Sequence, residues 1–145
     1  MNLPRIRKLL IWLMEQAQAV SPAEKWGTVS LTLTDDAGIT AANRAYFGKD
    51  SPTDVISCAY DPLPGEAGLR AGEVIVNVQR AREEGARRDG MELELALYIA
   101  HGCQHLAGRD DAVPAARAAM RRCENAWLRR AQRLGLIGGL TEKDK

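Results

Sequence analysis

At 145 residues the chain has the length of one domain, because single cores commonly form at about 100–200 residues. Hydrophobic residues at 46% and charged residues at 27% match ordinary globular usage, which excludes a disordered chain. With 20 Lys and Arg against 19 Asp and Glu, the net charge of +1 gives no bulk attraction to nucleic acid or membrane, so any basic footprint must be local.

The longest apolar run near the N-terminus, Leu9 to Met14, is too short for a bilayer or a signal segment, so the expectation is no membrane and a cytoplasmic location. Cys58, Cys103 and Cys123 are odd in number and stand at no zinc-ribbon or redox spacing. They read as free thiols of a reducing compartment.

From Pro4 to about Ala19, Ile6, Leu9, Leu10 and Leu13 recur at the spacing of an amphipathic helix. Val29, Leu31 and Leu33 then alternate with Ser and Thr, predicting a strand over Thr28 to Thr34. Asp35 or Asp36 suits the cap of a second helix carrying Ile39, Ala42 and Tyr46 on one stripe and ending at Gly48. A second strand is expected to begin in Thr53-Asp-Val-Ile-Ser57, just after Pro52. The Pro- and Gly-rich stretch from Asp61 to Gly68 reads as a connector. Glu73 to Asn77 reads as the third strand, with Asn77 capping a third helix through Arg88.

A fourth helix from Met91 to Leu106 is apolar nearly all round, so it belongs at the centre; Tyr98 falls within its core stripe. Pro114 opens a fifth, where Val113, Ala116, Met120, Cys123 and Trp127 extend an apolar stripe to about Leu134. This order argues for a single α+β domain over residues 1–145: a small mixed β-sheet covered by about five helices.

The chain has two histidines, His101 and His105, four apart on the fourth helix, so both rings project from one face and can grip one metal. A pair of buried or capping histidines is the plainer alternative. Gly108 can end the helix in a left-handed turn, letting Asp110 or Asp111 return toward the imidazoles; capping of the fifth helix is the competing role for those carboxylates. Two His and a carboxylate satisfy zinc. The zinc-protease position after the first His is Gly102, which argues against peptide hydrolysis by that route, and Cys103 points away from the shared face as a core thiol.

The run His101-Gly-Cys-Gln-His-Leu-Ala-Gly-Arg-Asp-Asp111 resembles the metal signature of the YbeY endoribonucleases, His-Gly-x-Leu-His-Leu-x-Gly-Tyr-Asp-His. Asn43-Arg-Ala-Tyr-Phe-Gly-Lys-Asp-Ser-Pro-Thr-Asp-Val-Ile-Ser57 is similar to a second family signature, Gly72-Glu-Val-Ile-Val76 to a third, and Met120 and Glu124 keep the spacing of the last family helix. The resemblance spans roughly residues 31 to 128. It implies a metal-dependent, single-strand-type endoribonuclease of ribosomal RNA maturation and ribosome quality control, holding one Zn2+ ion and meeting ribosomal RNA and the ribosome or its proteins. His101 and His105 carry over as ligands, and Asp111 stands where the family has its third His.

Phe47 replaces a family Arg suited to phosphate. Arg44 and Lys49, with Arg109 beside the metal run, are the candidate catalytic cations, and Thr53 and Ser57 are candidate phosphate hydrogen-bond donors. Arginines 117, 121, 122, 129, 130 and 133 on the fifth helix form a local basic footprint, which is either a solvated face or an RNA contact. The family opens with a strand, for which Met1 to Arg5 offers little length. A non-catalytic RNA-binding or ribosome-binding maturation adaptor, and a metal-dependent hydrolase of another substrate, are the alternatives from other classes.

Overall fold

The computed structural model describes residues 1–23, 25–62 and 68–142, so most of the expected connector lies outside the described residues. The chain opens on α1, Leu3–Val20, where the Asn2 side chain accepts from the Arg5 amide and Pro4 sits in the first turn. Its buried residues include Ile6, Leu9, Leu10 and Leu13, the stripe expected from their spacing. The strand β1, Trp26–Thr34, begins two residues earlier than its alternation suggests, through an irregular register between Trp26 and Thr28.

Helix α2, Asp36–Phe47, is capped by Asp35, whose carboxylate accepts from the Gly38 amide at 2.9 Å, and ends at Gly48 with φ of 67°. Its stripe is corrected at one position. Tyr46 is exposed, because its hydroxyl reaches Glu73 on a neighbouring strand and leaves Ile39 and Asn43 as the buried residues of the helix.

Strand β2, Val55–Tyr60, starts two residues later than expected, and the reason is local. The Asp54 carboxylate accepts from the Val55 amide at 2.8 Å, and the Thr53 carbonyl accepts from Asn77 Nδ2 at 3.1 Å, so these residues form a turn tied to the next strand. Strand β3, Arg70–Asn77, gains three residues at its start through pairing with both neighbours. Asn77 caps α3, Val78–Arg87, by accepting from the Arg80 amide. Helices α4, Met91–Leu106, and α5, Pro114–Arg133, follow. Val113 lies outside the buried stripe of α5, because it is the exposed N-cap residue.

The described strands make one three-stranded mixed sheet in the order β1-β3-β2, with β1 parallel and β2 antiparallel to β3. Against it lies α4, whose Leu95, Ile99, Cys103 and Leu106 join Val74, Val76, Leu9, Leu13 and Trp127 in one core; Tyr98 is buried there too. Each fully buried aliphatic side chain of this kind contributes about 1.5–3 kcal/mol. The close approach of α4 to the sheet depends on Gly102: a Cβ there would meet Val74 Cγ1 at 2.8 Å and Val55 Cγ2 at 3.2 Å. That contact brings the last turns of α4, and with them both histidines, up against β2. Among the described residues the architecture is the expected α+β single domain, with a small mixed sheet and five helices.

Candidate metal centre and its cleft

The two imidazoles leave α4 one turn apart and meet edge to face, with His101 Nε2 and His105 Nε2 3.0 Å from each other. Below them the helix ends in a Schellman turn. Gly108, with φ of 88°, donates to the His105 carbonyl at 3.0 Å, and the Arg109 amide donates to the Gln104 carbonyl at 3.1 Å. The chain thereby reverses, and Asp111 Oδ2 comes to 3.8 Å from His101 Nε2 and 3.9 Å from His105 Nε2. The competing capping role falls to neither aspartate. The α5 N-cap, Val113, makes no side-chain cap bond; Asp110 accepts from the Ala112 amide, and the Asp111 carboxylate is left to the histidines.

Each imidazole is oriented through its other nitrogen. His105 Nδ1 donates to the Arg109 carbonyl at 3.0 Å, and His101 Nδ1 bonds the buried carboxylate of Glu124, which α5 carries across to it. The Glu124 contact raises the His101 pKa, outweighing the lowering by burial. With Nδ1 engaged on both rings, the two Nε2 atoms are left facing one another, and in the neutral imidazoles both can bind a cation set between them. His101, His105 and Asp111 are a candidate metal-binding triad, with one ligand atom from each lying within 4.8 Å of the others. Tetrahedral bonds of about 2.0–2.1 Å separate ligand atoms by about 3.3 Å, so contacts of 3.0, 3.8 and 3.9 Å fit a divalent ion after shifts of a few tenths of an ångström.

The triad forms one side of an open cleft of about 610 Å³; the far side is made by Asn43, Phe47 and Lys49, and the floor by Thr53, Asp54, Val55, Ile56 and Ser57 of β2 and its approach. Of the candidate cations, only Lys49 lines this cleft. Arg44 turns outward to pair with Asp50. The Arg109 carbonyl holds His105; burial raises the pKa of the Cys123 thiol, and the positive charge of the Arg109 guanidinium offsets that rise only in part. Both candidate phosphate donors, Thr53 and Ser57, line the cleft. Behind the triad, Arg117 and Arg121 of the α5 footprint border a smaller recess with His101, Asp111 and Glu124.

Three residues that fall inside the quoted signatures receive no role from the sequence, and the structure gives each a positioning contact. Glu124 sits in a charged run whose spacing matches the family but names no partner. Asn43 is buried and donates to the Ser51 carbonyl at 2.9 Å while its own carbonyl accepts from the Lys49 amide, fixing the turn that presents Lys49. Asp54 lines the cleft, and its charge raises the His101 pKa further.

Fold and site together define a small α+β protein with a candidate metal-binding triad at the edge of a polar cleft. A family model described as Endoribonuclease YbeY matches residues 1–132. The chain is 41% identical over 144 residues to the Endoribonuclease YbeY of Desulfitobacterium hafniense, covering 90% of this chain and 89% of the relative. To that of Rhodopirellula baltica it is 37% identical over 116 residues, covering 78% of this chain and 58% of the relative's length. The solution structure of a Thermotoga maritima protein shares the fold, with TM-score 0.53 and 24% identity over 95% of this chain and 93% of that one. The chain belongs to the YbeY endoribonuclease family. No helix among the described residues is long and apolar enough to cross a membrane.

Proposed function

We propose that the protein is a zinc-dependent endoribonuclease acting on single-stranded regions of ribosomal RNA, in the maturation and quality control of ribosomes in the cytoplasm. The observation that carries this reading is the convergence of His101 Nε2, His105 Nε2 and Asp111 Oδ2 at the edge of a cleft lined by Lys49. Family membership supplies the substrate class.

His101, His105 and Asp111 would hold the ion, with Asp111 in the role of a third ligand; two imidazoles and a carboxylate are a known zinc donor set. Bound there, zinc supplies Lewis acidity, stabilising charge on a phosphoryl oxygen and making water acidic enough to ionise near neutral pH. Glu124 and the Arg109 carbonyl hold the two imidazoles in the tautomer that exposes Nε2. Lys49 attracts the RNA phosphate as a point charge, and the Thr53 and Ser57 hydroxyls can donate to its oxygens from the cleft floor.

Metal analysis of the purified protein with a cleavage assay on structured RNA tests the reading. The expected result is one zinc per chain and cleavage, with both lost in His105→Ala. Full zinc occupancy in Asp111→Ala would remove that residue from the ligand set. A wild type that binds RNA but never cuts it would instead make the protein a maturation adaptor, and turnover of small esters but not RNA would make it a different hydrolase.

A further inference from the structure

The chain has three Tyr and one Phe. Tyr98 is buried, whereas Tyr46, Phe47 and Tyr60 stand 47%, 53% and 45% exposed. Single exposed rings are ordinary, but these three are connected. Phe47 lines the cleft that holds the triad. Tyr46 lies against it with ring centroids 6.4 Å apart, tilted by 56°. The Tyr46 and Tyr60 hydroxyls both donate to Glu73 Oε2, at 3.3 and 3.1 Å, which ties the end of α2 to the outer part of β2. The three exposed rings are therefore linked in a track that runs from Phe47 in the cleft to Tyr46 beside it and on to Tyr60 at the end of β2, the two tyrosines being joined through Glu73.

The surroundings of the track indicate its occupant. Lys49 lines the cleft with Phe47, and Glu73 accepts from both tyrosines, so a protein partner would have to desolvate charges of both signs to cover about three aromatic side chains. A single-stranded nucleic acid faces no such demand. Its bases present flat faces to the rings, its phosphates stay in water, and the carboxylate of Glu73 repels those phosphates outward. Because both tyrosine hydroxyls are already engaged by Glu73, the ring faces are what remains for contact.

We infer that single-stranded RNA enters the cleft along this track, with bases stacking on Phe47, Tyr46 and Tyr60 while a phosphate at the cleft mouth meets Lys49. The choice of RNA rests on the ribonuclease reading; the stacking does not. Phe47, which cannot grip a phosphate as an arginine does, is on this account a base platform. A duplex keeps its bases stacked on one another and cannot use the rings, so the track selects single strands.

Anisotropy of a labelled single-stranded RNA of about eight nucleotides, read with a chelator present so that nothing is cut, tests the track. Phe47→Ala, Tyr46→Ala and Tyr60→Ala are each expected to weaken binding about 5- to 150-fold, the range found for loss of one base–aromatic stack. Phe47→Trp should restore wild-type affinity, and annealing the RNA to its complement should weaken wild-type binding at least as much as Phe47→Ala does. The three positions are exposed, so the alanine variants fold. Alanine variants that bind as tightly as wild type, or a duplex that binds as tightly as the single strand, overturn the track. Failure of the nuclease reading looks different: a protein that binds through its rings yet cuts no RNA once zinc is added keeps the track and loses the nuclease. A wild type with no affinity for single-stranded RNA overturns the track outright.

Discussion

The two sides of the cleft are built on different principles. On the α4–α5 side, every group that faces the proposed ion is held from behind: His101 by a buried carboxylate, His105 by a carbonyl inside a Schellman turn, and Asp111 by a chain reversal made possible at Gly108. On the α2–β2 side the groups stand in water. Arg44 and Asp50 form an ion pair with side chains 61% and 73% exposed, and Phe47 is half exposed. The contrast teaches that fixed geometry is concentrated where bonds would be made and broken, while the side that would receive a flexible polymer keeps side chains free to adjust.

If the first side is fixed by packing, disturbing the packing should do the most damage. Gly102→Val places methyl groups where even a Cβ would lie 2.8 Å from Val74, and α4 must lift off the sheet. Overpacking of this kind costs about 1–3 kcal/mol, and each kcal/mol lowers Tm by about 2–4 °C in a domain of this size. Thermal melts of the metal-free protein read it directly, and an unchanged Tm would mean the helix is not seated as described.

Next in size is Glu124→Ala. Loss of a carboxylate behind a metal-ligating imidazole typically costs about 10- to 100-fold in metal affinity. Competition against a chromogenic chelator should show that loss, with Glu124→Gln retaining part of the affinity because its amide oxygen can still accept from His101 Nδ1. Equal affinity in wild type and Glu124→Ala would mean that the ring needs no support. On the opposite side, Lys49→Ala should weaken RNA binding at every sequence and reduce the slope of log affinity against log salt by about 1, the signature of one lost phosphate contact.

How much of this was legible depended on how local the chemistry is. The caps at Asp35 and Asn77, and the left-handed turns at Gly48 and Gly108, are decided within four residues of chain, and spacing alone reveals them. The histidine pair and the reversal after it were legible for the same reason, since an i, i+4 pair and a tight turn need no distant partner; spacing left Asp110 and Asp111 open, and only the family resemblance pointed to Asp111. The β2 boundary was not, because Thr53 and Asp54 are drawn into a turn by Asn77, which lies beyond the connector. Glu124 finds His101 across 23 positions, and a lone acid in an arginine-rich helix carries no mark of burial. Tyr46 falls on an apolar stripe by periodicity, yet Glu73 on the neighbouring strand holds it at the surface. The aromatic track was illegible on that account.

The smallest expected effect is the most diagnostic of the looser side. Arg44 lies three residues before Phe47 on α2 and is the natural substitute for a missing phosphate-binding arginine, but its guanidinium is occupied by Asp50. An exposed pair of this kind is worth about 0–1 kcal/mol, so Arg44→Ala should leave the Tm nearly unchanged. It should also leave the salt dependence of RNA binding unchanged, because a neutralised cation releases no further counterion from the phosphates. Asp50→Ala reverses the situation. It frees the guanidinium beside the cleft mouth, and the salt slope should steepen by about 1 while stability again barely moves. A full unit of slope lost in Arg44→Ala would instead show that Arg44 leaves Asp50 for a phosphate when RNA arrives. The α2–β2 side would then be an arginine clamp supplemented by stacking, rather than a stacking surface with Lys49 as its one cation toward phosphate.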